Sequence, residues 1–237
     1  MNTADRMAPR RRVVFVDWWG VLSRDFYWQS ICADPHHQIR DQLMQYIGEI
    51  LTPNSIPGDE WMRGIRSSQQ VIAAMNLTPT NGLDGKFLLD RLIKDCAAMS
   101  VNTELAALLA ELRAHAFIVV ATDNIDCFAD TFRHVQRTAA PWSGAAATLT
   151  DAVGLFDDLI CSSDVGVCKK DDPNRFFGGW LDAHGLTIAE ATLIDDKTAN
   201  CDAFDLNGGT AVRWDANRDS IAELRHTLAR WMTHSLK

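Results

Sequence analysis

The chain has 237 residues, of which 47% are hydrophobic, so it is long enough and apolar enough to bury a full core. Its net charge of −8 and pI near 5.3 argue against a nucleic-acid-binding protein, because such proteins carry clustered Lys and Arg that neutralise phosphates. No apolar run approaches the roughly 18 residues needed to cross a bilayer. The six cysteines lack the spacing of a zinc site or a disulfide framework. We therefore expect a cytoplasmic monomer or homodimer that binds neither nucleic acid nor membranes.

Five short apolar runs recur along the chain, and helical patterns separate them. The runs cover residues 13–17, 117–122, 159–163, 191–195 and 210–214. Strands that alternate with helices are typical of a parallel sheet covered on both faces. The predicted fold class is therefore α/β, with a Rossmann-like parallel sheet as its core and helices on both faces.

The interval between the first two runs is different, because it contains helical patterns and no convincing strand. Examples are IRDQLMQYIGEIL (39–51) and KFLLDRLIKDCAAM (86–99). We expect residues 24–100 to form a small helical cap domain, inserted into a core domain made of residues 1–23 and 101–237. Core helices are predicted over 103–115, 173–184 and 220–233, and a surface loop over 138–150.

Ligands of open α/β sheets bind at the carboxyl ends of the strands. The polar residues at these ends are Asp17, Thr122, Asp123, Asn124, Lys169, Lys170, Asp195 and Asp196. Clustered carboxylates need a cation between them, and oxygen ligands indicate Mg²⁺. A lysine and a threonine hydroxyl would suit a phosphoryl group, which Asp17 could attack to form an aspartyl-phosphate. The expected partner is therefore a small anionic, phosphorylated substrate.

Four segments at these strand ends carry a resemblance to a known family: VVFVDWWGVL, VVATDN, SSDVGVCKKDDPNRFF and ATLIDDKTANCDAF. In this order they resemble the four motifs of haloacid dehalogenase-like (HAD) superfamily hydrolases, over residues 12–24 and 101–214. The first segment is most similar to the D-x-x-G-V-L branch, which includes glucose-1-phosphatase and the amino-terminal domain of epoxide hydrolase.

The resemblance implies a role for each matching residue. Asp17 would be the nucleophile, Thr122 the phosphate-binding hydroxyl and Lys169 the group that stabilises the pentacoordinate state. Asp17, Asp196 and the backbone carbonyl of Trp19 would bind the metal, and Asp195 would act through a water molecule. Lys170 stands where the family usually has proline, and it would replace Lys169 if the loop were shifted.

Trp19 departs from the family pattern, because most phosphatases of this superfamily carry there a second Asp that serves as general acid and base. Trp cannot transfer a proton, and such a loss typically lowers the rate about 10²- to 10⁴-fold. We expect an atypical Mg-dependent phosphatase whose substrate has a good leaving group, such as a sugar 1-phosphate or an acyl phosphate. Trp18, Trp19, Asp123, Asn124 and Lys170 are the predicted substrate-binding residues, although Asp123 and Asn124 could instead cap a helix that begins at Ile125.

Three alternatives remain open at this point. A 2-haloacid dehalogenase has an aromatic residue at the position of Trp19 and releases halide without a proton, but it needs no metal, whereas Asp195 and Asp196 are both present. A phosphonate hydrolase would need a Schiff-base lysine, for which the insertion offers Lys86 and Lys94. A binding or regulatory protein could have kept the fold without turnover.

The insertion is expected to close over the substrate, exclude water and set specificity. Its candidate contacts are Trp28, His36, His37, Arg40, Trp61, Arg63 and Arg66. Asn200 is expected to order the fourth-motif loop, and Ser162 and Ser163 to shape the turn after the third strand.

Overall fold

The computed structural model describes residues 10–52, 55–75, 83–144 and 147–234. Its strands are β1 (Val13–Val16), β2 (Phe117–Thr122), β3 (Asp158–Cys161), β4 (Ala191–Asp195) and β5 (Thr210–Arg213). They form one parallel sheet in the order β3-β2-β1-β4-β5, so β1 lies in the centre between β2 and β4. The α/β prediction is confirmed, and all five predicted strands are present.

Twelve α-helices accompany the sheet in the described part of the chain. Those between β1 and β2 are α1 (Gln29–Cys32), α2 (Arg40–Ile50), α3 (Ile56–Met62), α4 (Ser68–Ala74), α5 (Gly85–Ala97) and α6 (Thr103–Leu112). Those that follow are α7 (Asp126–Thr138), α8 (Leu149–Ala152), α9 (Ser162–Val165), α10 (Pro173–Ala183), α11 (Thr198–Leu206) and α12 (Ile221–His234).

Strand β1 is buried on both faces, as its continuous apolar sequence requires. Val14 and Val16 join one apolar cluster, whereas Val13 and Phe15 join a second cluster on the opposite face of the sheet. Successive side chains of a strand point to opposite faces, so a strand covered by helices on both sides has no polar position. The first polar side chain comes where the strand ends, at Asp17.

Two predicted boundaries need correction. The third strand ends at Cys161, because Ser162 begins helix α9, whose short polar residues favour a helix start over a strand. The predicted loop 138–150 is shorter than expected. Helix α7 continues through Thr138, and α8 begins at Leu149 behind a capping box formed by Thr148 and Asp151; residues 145–146 lie outside the described ranges.

Residues 24–100, which lie between β1 and α6, are called the insertion below. Its described residues form helices α1–α5 and no strand. Trp28, Leu43, Trp61 and Leu88 of the insertion belong to the same apolar cluster as Val16 of the sheet. The division into two domains stays a prediction. Among the described helices, none is both long and apolar enough to cross a membrane.

Candidate active site

Asp17 lies one residue beyond β1, at the middle of the carboxyl edge of the sheet. Its backbone N–H donates to the carbonyl of Ile194 at 2.9 Å, which extends the β1–β4 pairing by one residue. Its side chain is almost fully buried, and Oδ1 accepts a hydrogen bond from the Trp18 backbone N–H at 2.8 Å. A carboxylate is thus fixed between the ends of β2 and β4.

Lys169 reaches this carboxylate from the loop after α9. Its buried ammonium Nζ lies 2.9 Å from Asp17 Oδ1 and 2.6 Å from Asp195 Oδ2, and it also donates to the carbonyl of Ala121 at 3.0 Å. The Lys169 backbone N–H donates to Asp123 Oδ1 at 2.9 Å, which fixes the loop. The lysine therefore bridges two aspartates that come from different strands.

Asp195 is saturated with hydrogen bonds. Its Oδ1 accepts from the Lys197 backbone N–H at 2.8 Å and from Asn200 Nδ2 at 3.1 Å, and its Oδ2 accepts from Asn200 and Lys169. Asn200 orders this loop, as expected from the sequence. Few lone-pair directions remain on Asp195 for a further ligand.

Asp196 is different, because one of its oxygens is free. Its side chain is half-buried, and Oδ1 is a buried atom with no hydrogen-bond partner among the described residues. The carboxylate lies against Gly20: a Cβ atom at this glycine would come within 2.5 Å of Asp196 Oδ2, and its φ of +89° also favours glycine. Gly20 thus leaves room for the Asp196 side chain.

The three carboxylates of Asp17, Asp195 and Asp196 form one cluster, with one oxygen from each lying within 4.8 Å of the others. Lys169 neutralises one of the three negative charges, and Lys197 acts on Asp17 and Asp196 from nearby, so one negative charge is left in excess. A buried polar atom without a partner is costly unless a ligand satisfies it. The excess charge and the free Asp196 oxygen both fit a divalent cation.

The pKa shifts of these residues agree with a cluster of carboxylates around one ammonium group. Burial raises the pKa of Asp17, Lys169 lowers it and Asp195 raises it, and the net effect is a pKa of about 6. Burial and the neighbouring Asp195 also raise the pKa of Asp196. Burial alone would lower the pKa of Lys169, but Asp17 and Asp195 outweigh it and hold that pKa well above its usual value, so the lysine remains an ammonium.

Thr122 ends β2, the strand next to β1. It is fully buried, and its hydroxyl Oγ1 has no hydrogen-bond partner within the described part of the chain. A buried hydroxyl usually finds an acceptor. An oxygen of a bound substrate would supply one.

Asn124 links the insertion to this edge of the sheet by a hydrogen bond and does not cap α7. Its Oδ1 accepts from the Tyr27 hydroxyl at 2.7 Å and from the Ile125 backbone N–H at 2.9 Å. Ile125 itself is the N-cap residue, and α7 begins one residue later than predicted. Ser162 makes a second tie, because its hydroxyl donates to the carbonyl of Met62 at 2.6 Å.

A cavity of about 760 Å³ opens between the insertion and the strand ends. It is lined by Trp18, Trp19, Asp25, Phe26, Tyr27, Gln29, Cys32, Ala33, Met44, Ile47, Gly48, Leu51, Thr52, Met62, Met99, Asp123, Asn124 and Lys197. Trp19 and Phe26 pack together with ring centroids 5.2 Å apart and remain 36% and 43% exposed. Trp18 is buried, with its indole N–H 3.3 Å from Met99 Sδ and its ring against Phe128.

Four of the five predicted substrate-binding residues line this cavity, and the fifth, Lys170, is exposed and does not. The predicted substrate contacts of the insertion do not line the cavity either. Trp28 donates to the Leu88 carbonyl and Trp61 to Ser68, both within the core. The remaining five, His36, His37, Arg40, Arg63 and Arg66, do not line the cavity.

The residues that do face the cavity from the insertion were missed in the sequence. Helix α2 and its C-cap contribute Met44, Ile47, Gly48 and Leu51. Their spacing of i, i+3, i+4 and i+7 is a helical stripe, but the same spacing is typical of a helix face buried in a core. The signal was present, yet it could not distinguish a cavity wall from a core contact.

Neither a protein-family model nor a curated protein matches the sequence. Solved structures do match. A predicted HAD-like family hydrolase from Porphyromonas gingivalis is 18% identical, with a TM-score of 0.63 over 93% of this chain and 98% of that one. The chain has the HAD-like fold.

Two further similar structures differ in chemistry. A HAD family enzyme from Bacteroides thetaiotaomicron, in complex with magnesium and inorganic phosphate, is 17% identical with a TM-score of 0.59 over 90% of this chain and 98% of that one. L-2-haloacid dehalogenase from Xanthobacter autotrophicus, with chloropropionic acid covalently bound, is 16% identical with a TM-score of 0.56 over 93% and 83%. These similarities confirm the HAD-like fold and leave the branch within it open.

Proposed function

We propose that this protein is a Mg-dependent phosphatase that hydrolyses a small phosphorylated metabolite through an aspartyl-phosphate on Asp17. The observation that carries the proposal is the Lys169 ammonium, which bridges Asp17 and Asp195 beside an Asp196 carboxylate with a free, buried oxygen. This arrangement provides a nucleophile, a fixed positive charge and a cation site at one edge of the sheet.

The metal would be held by Asp17, Asp196 and the backbone carbonyl of Trp19. The saturated Asp195 would act through a water molecule. When bound, Mg²⁺ neutralises negative charge on the phosphoryl group and the carboxylates. The magnesium and phosphate of the similar Bacteroides enzyme support this assignment.

The protein's own groups account for the chemical steps. An Asp17 oxygen attacks phosphorus, the bond from phosphorus to the leaving oxygen breaks, and that oxygen departs with the electron pair. Lys169 supplies positive charge beside the transferred group, and the Thr122 hydroxyl supplies a hydrogen-bond donor. Water then attacks the aspartyl-phosphate and regenerates Asp17. The insertion acts as a cap, held against the core by the Tyr27–Asn124 and Ser162–Met62 hydrogen bonds.

The test is phosphate release from acetyl phosphate, p-nitrophenyl phosphate and sugar phosphates, with Mg²⁺ or with EDTA. We expect turnover that needs Mg²⁺ and is abolished in Asp17→Asn. Asp202→Asn, which removes an exposed carboxylate in α11, is the matched control and should retain the activity. Turnover that is the same in EDTA or in Asp17→Asn would contradict the mechanism.

The second candidate is a 2-haloacid dehalogenase, which Trp19, the apolar cavity and the similarity to the Xanthobacter enzyme favour. The free Asp196 oxygen and the excess negative charge of the cluster argue against it. Chloride release from 2-chloropropionate in EDTA would establish it. The phosphonate alternative has less support, because neither Lys86 nor Lys94 lines the cavity.

A non-catalytic role is the third candidate, and exchanging Trp19 for Asp tests it. If the wild type is silent and Trp19→Asp hydrolyses phosphoesters, the site is a phosphatase apparatus that lacks its acid. The cytoplasmic location and the monomeric or dimeric state remain predictions.

A further inference from the structure

We propose that the substrate of this site is an aryl phosphate whose leaving group is a flat, apolar body of more than one ring, bound in the cavity beneath the insertion. This inference rests on the proposed phosphatase function and names its substrate class. It combines the chemistry of the cavity wall with the absence of a proton donor at residue 19.

The wall of the cavity that the insertion provides is mostly apolar, and its polar members are Asp25, Tyr27, Gln29 and Thr52. Met44, Ile47, Gly48 and Leu51 form one stripe along α2 and its C-cap, and none of these side chains can donate or accept a conventional hydrogen bond. Trp19 and Phe26 complete this surface with two partly exposed rings in contact. Exposed aromatic rings on a cavity wall suit a flat apolar ligand that would cover them.

A sugar phosphate fits the α2 stripe poorly, because each sugar hydroxyl buried against it needs a hydrogen-bond partner that the stripe does not offer. Two arginines of the insertion are paired elsewhere: Arg63 with Asp59 and Asp171, and Arg66 with Glu60. Lys197 is the one cationic residue among the described residues that line the cavity, and it belongs to the strand end where the phosphoryl group would bind.

The volume of the cavity also indicates the size of the leaving group. About 760 Å³ lies within the range of pockets that enclose drug-sized ligands. A short haloacid or an acetyl group would leave most of this space unfilled. A body of two fused rings would fill more of it.

The chemistry of the leaving group gives the independent argument. When Asp17 attacks phosphorus, the phosphorus–oxygen bond breaks and the aryl oxide departs with the electron pair. A phenol has a pKa of about 10, as tyrosine does, whereas the pKa of water is about 15.7 and those of alkyl alcohols lie near it. An aryl oxide can therefore leave without a general acid and take its proton from solvent afterwards, so the first step tolerates Trp19 at the acid position.

The experiment compares phenyl phosphate with 1-naphthyl phosphate in Mg²⁺, because their leaving groups are chemically alike and differ by one ring. We expect kcat/KM to be roughly tenfold higher for 1-naphthyl phosphate, since burying one further ring strengthens binding by about that factor. Glucose 1-phosphate should be hydrolysed more slowly than either.

Two variants locate the effect in the cavity. Phe26→Ala and Met44→Ala truncate partly exposed side chains, so they should fold, and each should lower the naphthyl-to-phenyl ratio of kcat/KM several-fold. Ile65→Ala truncates an exposed apolar residue of the insertion that does not line the cavity, and it should leave the ratio unchanged.

The outcomes separate this inference from the proposed function. A ratio near one in the wild type, a preference for glucose 1-phosphate, or a ratio unaffected by Phe26→Ala and Met44→Ala would overturn the aryl assignment while phosphatase activity stands. Failure of the proposed function would look different: no Asp17-dependent phosphate release from any substrate, acetyl phosphate included.

Discussion

Replacing Asp17 by Asn should stabilise the metal-free protein at neutral pH, although the same change should abolish its activity. Asp17 is buried, and burial raises the pKa of its carboxyl from 3.8 to about 6. The ionised carboxylate of Asp17 therefore lowers the free energy of unfolding relative to the neutral acid. Asn has the shape of the neutral acid and carries no charge.

The size of the effect follows from the shift in pKa. A rise from 3.8 to about 6 corresponds to a loss of stability on the order of 3 kcal/mol at a pH above both values. For a chain of this length that amounts to a rise in Tm of roughly 6 to 12 °C in Asp17→Asn. Between about pH 4 and pH 6 the native state binds more protons than the unfolded state, so the free energy of unfolding of the wild type falls as pH rises across this window. Asp17→Asn lacks this titration, so its advantage should vanish towards pH 4.

The measurement is urea denaturation of both proteins in EDTA at several pH values, with Asp195→Asn as the matched control. Asp195 also pairs with Lys169, but it accepts hydrogen bonds from Asn200 and the Lys197 backbone as well. Its replacement would break a buried network and should destabilise by about 3–5 kcal/mol. If Asp17→Asn proved no more stable than the wild type at pH 7, or if both variants changed in the same direction, the account of this charge cluster would be wrong.

Three further outcomes are expected. Gly20→Ala should displace the Asp196 carboxylate and weaken Mg²⁺-dependent activity at least tenfold in a metal titration, whereas Gly179→Ala, where a Cβ meets open space, should not. Tyr27→Phe removes a buried hydrogen bond to Asn124 and should lower the free energy of unfolding by about 1–2 kcal/mol, which denaturation would measure; an unchanged value would mean that the contact is not formed. Arg63→Gln should leave KM unchanged, because its guanidinium is paired away from the cavity, and a large rise in KM would place it at the substrate.

The sheet and the cluster at its carboxyl edge could be predicted because each depends on local sequence. A buried parallel strand needs a continuous apolar run, and a polar residue directly after that run must lie at the edge where the other strands end. Asp17, Thr122 and Asp195 follow this rule, and the order of the segments placed them on neighbouring strands. Lys169 required more, since it sits on a loop and only the resemblance selected it over Lys170.

The wall of the cavity could not be predicted, because burial does not depend on residue type alone. The aromatic character of Trp28 and Trp61 favours a substrate contact, yet their rings fill the core and their N–H groups donate hydrogen bonds within it. In the sequence pattern, Met44 and Leu51 occupy ordinary apolar positions of an amphipathic helix. Which face of that helix meets a cavity depends on how the insertion docks, and docking depends on contacts such as Tyr27–Asn124 that are distant in sequence.

In the proposed site, the Trp18–Trp19 pair would alter the chemistry without removing the proposed cation ligand. A tight turn follows Trp18: its carbonyl accepts from the Ser23 backbone N–H at 2.8 Å, and the Gly20 N–H donates to the Ser23 carbonyl at 2.8 Å. The turn leaves Trp18 buried and Trp19 partly exposed at the cavity. A metal ligand contributed by the backbone of residue 19 does not depend on its side chain, whereas general acid catalysis does. Exchange of an acid for Trp at this position would therefore remove proton transfer, keep the proposed ligand and add apolar surface to the cavity. An aryl phosphate would tolerate the first of these changes and benefit from the last.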